Sequence, residues 1–243
     1  MCSRYSLTAQ EWDFFSKFLK ELMLLEAKSR YNIAPTQLAP VITLKDGEPV
    51  CRDLRFGFQS PATPARKASI VVNARSETVA EKPTFRDAFR QRRCLVPATG
   101  FYEWRKVGAQ KQPMNIRLKG GEPFYFAGLW RTSMIPGKPG NGSGSEPERA
   151  DTFVIMTTEP NRLMASIHNR MPVILAPEAR DSWLDPSTRE DLLLSRLRPF
   201  EPDAMEAWPV GAGVGLPAND SPACLERVAP LRAPVQQDLF GDS

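Results

Sequence analysis

Apolar side chains at Phe14, Phe15, Phe18, Leu19, Leu22 and Leu25 recur every three to four positions, the spacing that lines one face of a helix. Thr8 with Glu11 has the capping-box pattern just ahead of them, so the sequence predicts an amphipathic helix over 9–28. Beyond Tyr31-Asn32-Ile33-Ala34-Pro35-Thr36 the rhythm changes. Val41-Ile42-Thr43-Leu44 and Val50-Cys51 flank Asp46-Gly47, which reads as a hairpin closed by a two-residue turn. The run 69–73 reads as a buried strand that delivers Asn73, Arg75 and Glu77 into the loop behind it. A short basic helix is expected over 85–92.

Strand patterns then dominate. Cys94-Leu95-Val96-Pro97 and Gly100-Phe101-Tyr102-Glu103-Trp104 predict two strands around a kink, and 115–118 is expected to pair with 124–129 across Gly120-Gly121. Residues 136–149, rich in glycine, proline and serine, have almost nothing to bury and are expected to form a mobile surface loop. A strand over 152–157, a short helix over 161–167 and a strand over 172–175 follow. Two helices over 177–184 and 187–197 precede a return to the sheet at Trp208-Pro209-Val210. The pattern implies one domain over 1–228 and a flexible tail over 229–243, with mostly antiparallel strands and helices at the edges.

Composition narrows the class without fixing a function. The chain has 243 residues, 42% hydrophobic and 25% charged, an ordinary globular balance. Its 32 basic and 28 acidic side chains leave +4, which permits a polyanionic partner without demanding one. Cys2, Cys51, Cys94 and Cys224 lie far apart without a CxxC pair, so neither a metal cluster nor a disulfide framework is expected. A reducing cytoplasm fits that usage, and no stretch reaches transmembrane length or reads as a secretion signal.

The candidate chemistry begins at Cys2. A cysteine directly after the initiator methionine permits removal of that methionine, leaving an α-amine and a thiol on adjacent carbons. The amine titrates near ~7.7–8.0 and the thiol near ~8.5, so both are available as nucleophiles near neutrality. Such an aminothiol condenses with an aldehyde to an imine and then to a five-membered thiazolidine. Alternatively, an N-terminal nucleophile attacks a peptide carbonyl with its own amine as base. Position alone is also compatible with an incidental second residue.

His168, the only histidine, can act as a proton shuttle or play a structural part. Glu103, flanked by Phe101, Tyr102 and Trp104, suits acid/base work if buried, or is simply an outward-facing strand residue. Asn73, Arg75 and Ser76 together offer an amide, a guanidinium and a hydroxyl, equipment for a phosphate or sugar and equally for a solvated loop. Arg4 places positive charge near Cys2. Arg86, Arg90, Arg92 and Arg93 form a basic run that lines either a nucleic-acid groove or an exposed helix face.

In this order, Met1-Cys2-Ser3-Arg4, Tyr31-Asn32-Ile33-Ala34-Pro35-Thr36, Asn73-Ala74-Arg75-Ser76-Glu77-Thr78, Arg93-Cys94-Leu95-Val96-Pro97, Gly100-Phe101-Tyr102-Glu103-Trp104 and His168-Asn169-Arg170-Met171-Pro172 resemble the SOS response-associated peptidase family. The resemblance runs from Cys2 to about Leu225. It implies an α+β fold, a curled, mostly antiparallel, barrel-like sheet with peripheral helices. It implies a thiazolidine crosslink between Cys2 and an abasic site in single-stranded DNA, without metal or cofactor. By the same resemblance Asn73 holds the amino terminus or sugar, and Glu103 and His168 move protons. Arg4 and Arg75 grip phosphates by that resemblance, and Ser76, Arg86 and Arg170 are further expected DNA contacts. The chain departs from the family pattern at Ser3, where glycine is usual, and in the glycine-rich 209–215. It departs also at Phe56-Gly57-Phe58, where relatives carry a tryptophan-bearing wedge. Stacking on such a wedge is worth ~1–3 kcal/mol per base, so Phe56 and Phe58 are the expected reduced version of it. A cysteine peptidase and a non-catalytic DNA-binding module are the alternative readings. Near the end, Gln236-Gln237-Asp238-Leu239-Phe240 resembles peptides that dock on bacterial sliding clamps.

Overall fold

The computed structural model describes residues 2–8, 29–60, 67, 69–135 and 148–232. The expected helix over 9–28, most of the expected loop and the clamp-like motif lie outside the described residues. Among these residues the strands are β1 (Tyr5–Leu7), β2 (Arg30–Ile33), β3 (Leu38–Lys45), β4 (Glu48–Phe56), β5 (Phe58–Ser60), β6 (Ser69–Val71) and β7 (Asn73–Arg75). They continue as β8 (Arg93–Ala98), β9 (Gly100–Val107), β10 (Gln110–Leu118), β11 (Phe124–Ile135) and β12 (Glu148–Thr158). The last are β13 (Met171–Pro172), β14 (Ile174–Leu175) and β15 (Met205–Pro209). The helices are short: α1 (Arg86–Gln91), α2 (Arg162–Ala165), α3 (Arg180–Leu184) and α4 (Glu190–Ser195).

One sheet runs β15-β10-β9-β1-β2. The other closes on itself, because β12 pairs with β4, β4 with β3, β3 with β8, β8 with β11, and β11 again with β12. Closure removes the exposed edges that an open sheet would present. The fold is therefore α+β, with a barrel-like, mostly antiparallel sheet and peripheral helices, as expected. The Asp46-Gly47 hairpin also forms, with Lys45 opposite Glu48 and both turn residues at positive φ, 53° and 86°.

Alternation explains how the two sheets share a core. On β10, Met114, Ile116 and Leu118 face inward, while Asn115 and Arg117 face the other way. On β9, Phe101 joins the main core, whereas Tyr102 packs in a smaller outer cluster with Trp208, Val210, Val214 and Cys224. Tyr5 meets Phe56 and Phe126 edge-on, and Phe56 stacks on Phe153 with centroids 4.9 Å apart.

Several expectations need correction. Segments 115–118 and 124–129 do not pair with each other: β10 lies between β9 and β15, while β11 lies in the barrel. Gly120 and Gly121, both at positive φ, turn the chain from one sheet into the other. The buried strand over 69–73 is instead split. β6, largely exposed, pairs with β5, and β7 runs parallel to β12, so Asn73 and Arg75 are strand residues. Glu148 and Arg149 belong to β12, opposite Ile135 and Met134, and not to the loop. Past residue 228, the Leu231 amide donates to Gln112 Oε1, so the first residues assigned to the tail are tied to the body.

Candidate functional site

The site is assembled by pairing. Tyr5 lies opposite Phe101, and the Tyr102 amide donates to the Arg4 carbonyl at 3.0 Å, so antiparallel β1 carries the residues before it alongside Glu103. Cys2 is buried there at 1% exposure, within the electrostatic reach of Glu103. On the barrel side, the parallel register places Asn73 opposite Ile155. Asn73 Nδ2 donates to the Cys2 carbonyl at 3.0 Å and the Ile155 carbonyl at 3.3 Å, which fixes the orientation of its amide. Asn73 Oδ1 is thereby left buried without a hydrogen-bond partner.

His168 follows α2, whose first turn is capped by Asn161 Oδ1 accepting from the Met164 amide. The His168 amide donates back to the Met164 carbonyl, and its Nε2 stands 4.0 Å from Glu103 Oε2. Glu103 is only 2% exposed in its side chain and His168 25%, so the pair spans the boundary between core and solvent. Cys2, Asn73, Glu103 and His168 are thus brought together from the segment before β1, from β7, from β9 and from the loop after α2.

Burial, and secondarily the Glu103 carboxyl, push the Cys2 thiol above its ordinary range. The fold therefore disfavours the thiolate that position in the sequence alone suggests.

The expected DNA contacts divide. Arg75 is exposed on β7, and Arg86 is exposed beside Asp87. Ser76 is nearly buried. Arg170 is engaged with both oxygens of Glu77, at 2.6 and 2.9 Å, and with the Thr157 carbonyl at 2.7 Å. Arg4 is committed internally: its guanidinium donates to Asn32 Oδ1 and to the Val214 and Gly215 carbonyls. Arg93 is 5% exposed and donates to the Phe89, Arg90, Trp183 and Asp185 carbonyls, so it holds α1 and α3 and does not line a groove. Phe56 and Phe58 are both fully buried, so neither ring is presented to a base. Leu54, Phe56 and Phe58 share one apolar face at period two, and that signal in the sequence points to the core. Glu77, as the carboxylate that grips Arg170, had no distinguishing signal in the sequence.

The family model described as SOS response associated peptidase (SRAP) matches residues 1–217. Abasic site processing protein YoqW of Bacillus subtilis is 38% identical over 231 residues, covering 93% of this chain and 99% of that protein. Abasic site processing protein YedK of Escherichia coli is 27% identical over 189 residues, covering 76% of this chain and 79% of its own length. A solved protein from Bacteroides thetaiotaomicron superposes with a TM-score of 0.74 at 26% identity, covering 94% of this chain and all of its own. On the extent of the family match and the similarity to YoqW, the chain belongs to the SOS response associated peptidase family.

Proposed function

We propose that this protein processes abasic sites in single-stranded DNA by covalent capture through Cys2. The observation that carries the reading is the meeting of Cys2, Asn73, Glu103 and His168 around the chain's N-terminal end. The names of the relatives supply the substrate class.

Removal of Met1 frees the α-amine. The Asn73 Oδ1 acceptor beside Cys2 suits an amine N–H and would aim it. Burial disfavours the Cys2 thiolate, so the amine attacks the open-chain aldehyde first. The two amine protons are passed to the aldehyde oxygen, which leaves as water and gives the imine. The thiol then adds across the C=N bond: sulfur bonds to carbon, the S–H proton passes to nitrogen, and a thiazolidine closes. One water is lost in all. Glu103 and His168 are the groups placed to move these protons. A peptidase reading needs a thiolate to attack a carbonyl, and the raised thiol argues against it.

Arg75 and Arg86 supply exposed positive charge for phosphates, so binding should weaken with salt. Gln236 to Phe240 extends the proposal to a sliding-clamp partner, which deletion of 236–243 with unchanged clamp binding would remove.

The test is incubation of Met1-free protein with single-stranded DNA bearing one abasic site. A denaturation-resistant band is expected, lost in Cys2→Ala. Absence of the band with the wild type overturns the proposal, and a band that survives Cys2→Ala redirects it to a lysine imine.

A further inference from the structure

His168 Nδ1 lies 3.1 Å from the Arg170 amide nitrogen. A backbone N–H can only donate, so that contact requires a lone pair on Nδ1. The Arg170 carbonyl, 3.3 Å from the same nitrogen, is the longer contact and would need the opposite tautomer. A neutral imidazole that accepts at Nδ1 carries its proton on Nε2, the nitrogen 4.0 Å from Glu103 Oε2.

What holds the Arg170 amide in place is its own side chain. The guanidinium forks onto both oxygens of Glu77, in the turn directly after β7, and donates to the Thr157 carbonyl on β12. Arg–carboxylate forks of this kind are directional as well as strong. β7 and β12 are the parallel pair that also carries Asn73. The His168 loop and the Asn73 amide are therefore referenced to one rigid platform.

We infer that Glu77 and Arg170 form a positioning clamp that presets His168 as the Nε2–H tautomer, making its Nε2–H a hydrogen-bond donor to the aldehyde oxygen and leaving Glu103 to relay the amine protons to that oxygen. Neither clamp residue is a catalytic residue in this assignment; both act through His168. The inference deepens the covalent-capture reading and rests on it for the catalytic consequence, but the tautomer itself is measurable without DNA.

Because His168 is the only histidine, a long-range nitrogen–proton NMR spectrum of labelled protein shows a single imidazole. The wild type should show a pyridine-type Nδ1 and a protonated Nε2. Glu77→Gln should give mixed tautomers and adduct formation about tenfold slower at saturating DNA, the scale typical of losing a partner that orients a histidine. Glu77→Asp, which keeps the carboxylate, should recover most of both. A wild-type imidazole protonated at Nδ1 overturns the inference whatever the variants do. So does Glu77→Gln with an unmixed Nε2–H tautomer, or mixed tautomers at full adduct rate, or a loss confined to DNA affinity. If the wild type forms no adduct while the tautomers behave as stated, the clamp stands and the covalent-capture reading fails.

Discussion

Burial raises the thiols of Cys2, Cys51 and Cys94, and Cys51 is pushed up to about 12. In an unfolded chain a thiol gives up its proton near ~8.5. Below that pH both states hold the proton, and these groups leave stability unchanged. As pH rises above it, the unfolded chain binds fewer protons than the folded one, and stability falls until the folded thiol also titrates. The slope is about 1.4 kcal/mol per pH unit for each such thiol. Cys51→Ala should therefore lose less stability between pH 9 and pH 11 than the wild type, by up to about 2 kcal/mol. Urea midpoints at the two pH values measure this, and the cost of the substitution itself cancels in the difference. At the site, Glu103→Gln and His168→Ala should each slow adduct formation by ~10²–10⁴-fold, the usual contribution of a positioned acid or base, while DNA affinity stays near wild type. Single-turnover crosslinking alongside a binding titration separates the two quantities, and an affinity loss alone would move both residues out of the proton-transfer role.

The elements show which features a sequence can reveal. The Asp46-Gly47 hairpin was legible because turn chemistry and strand alternation act between neighbours in the chain. The partners of β10 and β11 were not, because alternation says which face is apolar and nothing about which strand lies alongside. A Gly-Gly step between two strand patterns fits a hairpin and a crossover between sheets equally well. The barrel also places a demand on Gly128 that composition does not show: a Cβ there would lie 2.7 Å from Cys94 Sγ and 2.8 Å from a Val96 methyl. β11 and β8 can approach this closely only because the position lacks a side chain. Gly128→Ala should cost about 1–3 kcal/mol through overpacking. Gly211→Ala, where a Cβ would meet nothing within 4 Å, is the control and should leave the melting temperature nearly unchanged.

Across the described residues, Arg4, residues 30–32 and the segment 214–220 are bound into one polar network. Asn32 on β2 donates from Nδ2 to the carbonyls of Val214, Leu216 and Asn219, and its Oδ1 accepts from Arg4. Asp220 accepts from the Tyr31 and Asn32 amides and pairs with Arg30 at 2.6 Å. The segment after β15 is thus fastened across β1 and β2, and Arg4 stands two residues from Cys2. Cys2, Asn73, Glu103 and His168 stand out in the sequence as separate candidates, and the fold brings them together. The internal commitment of Arg4 was not legible, because its carbonyl acceptors lie more than two hundred residues away. Asn32 is fully buried, and truncating it removes the shared donor to three carbonyls and the Oδ1 acceptor of the buried-side Arg4 guanidinium. Asn32→Ala should therefore destabilise the protein by about 1–3 kcal/mol, the cost of leaving buried polar groups unpaired. That corresponds to a fall of roughly 2–4 °C in Tm per kcal/mol for a chain of this size. If the network also anchors the N-terminal strand, adduct formation by Asn32→Ala should fall below wild type even well under its Tm, with DNA affinity retained. A variant that loses Tm but crosslinks at the wild-type rate would confine the network to stability.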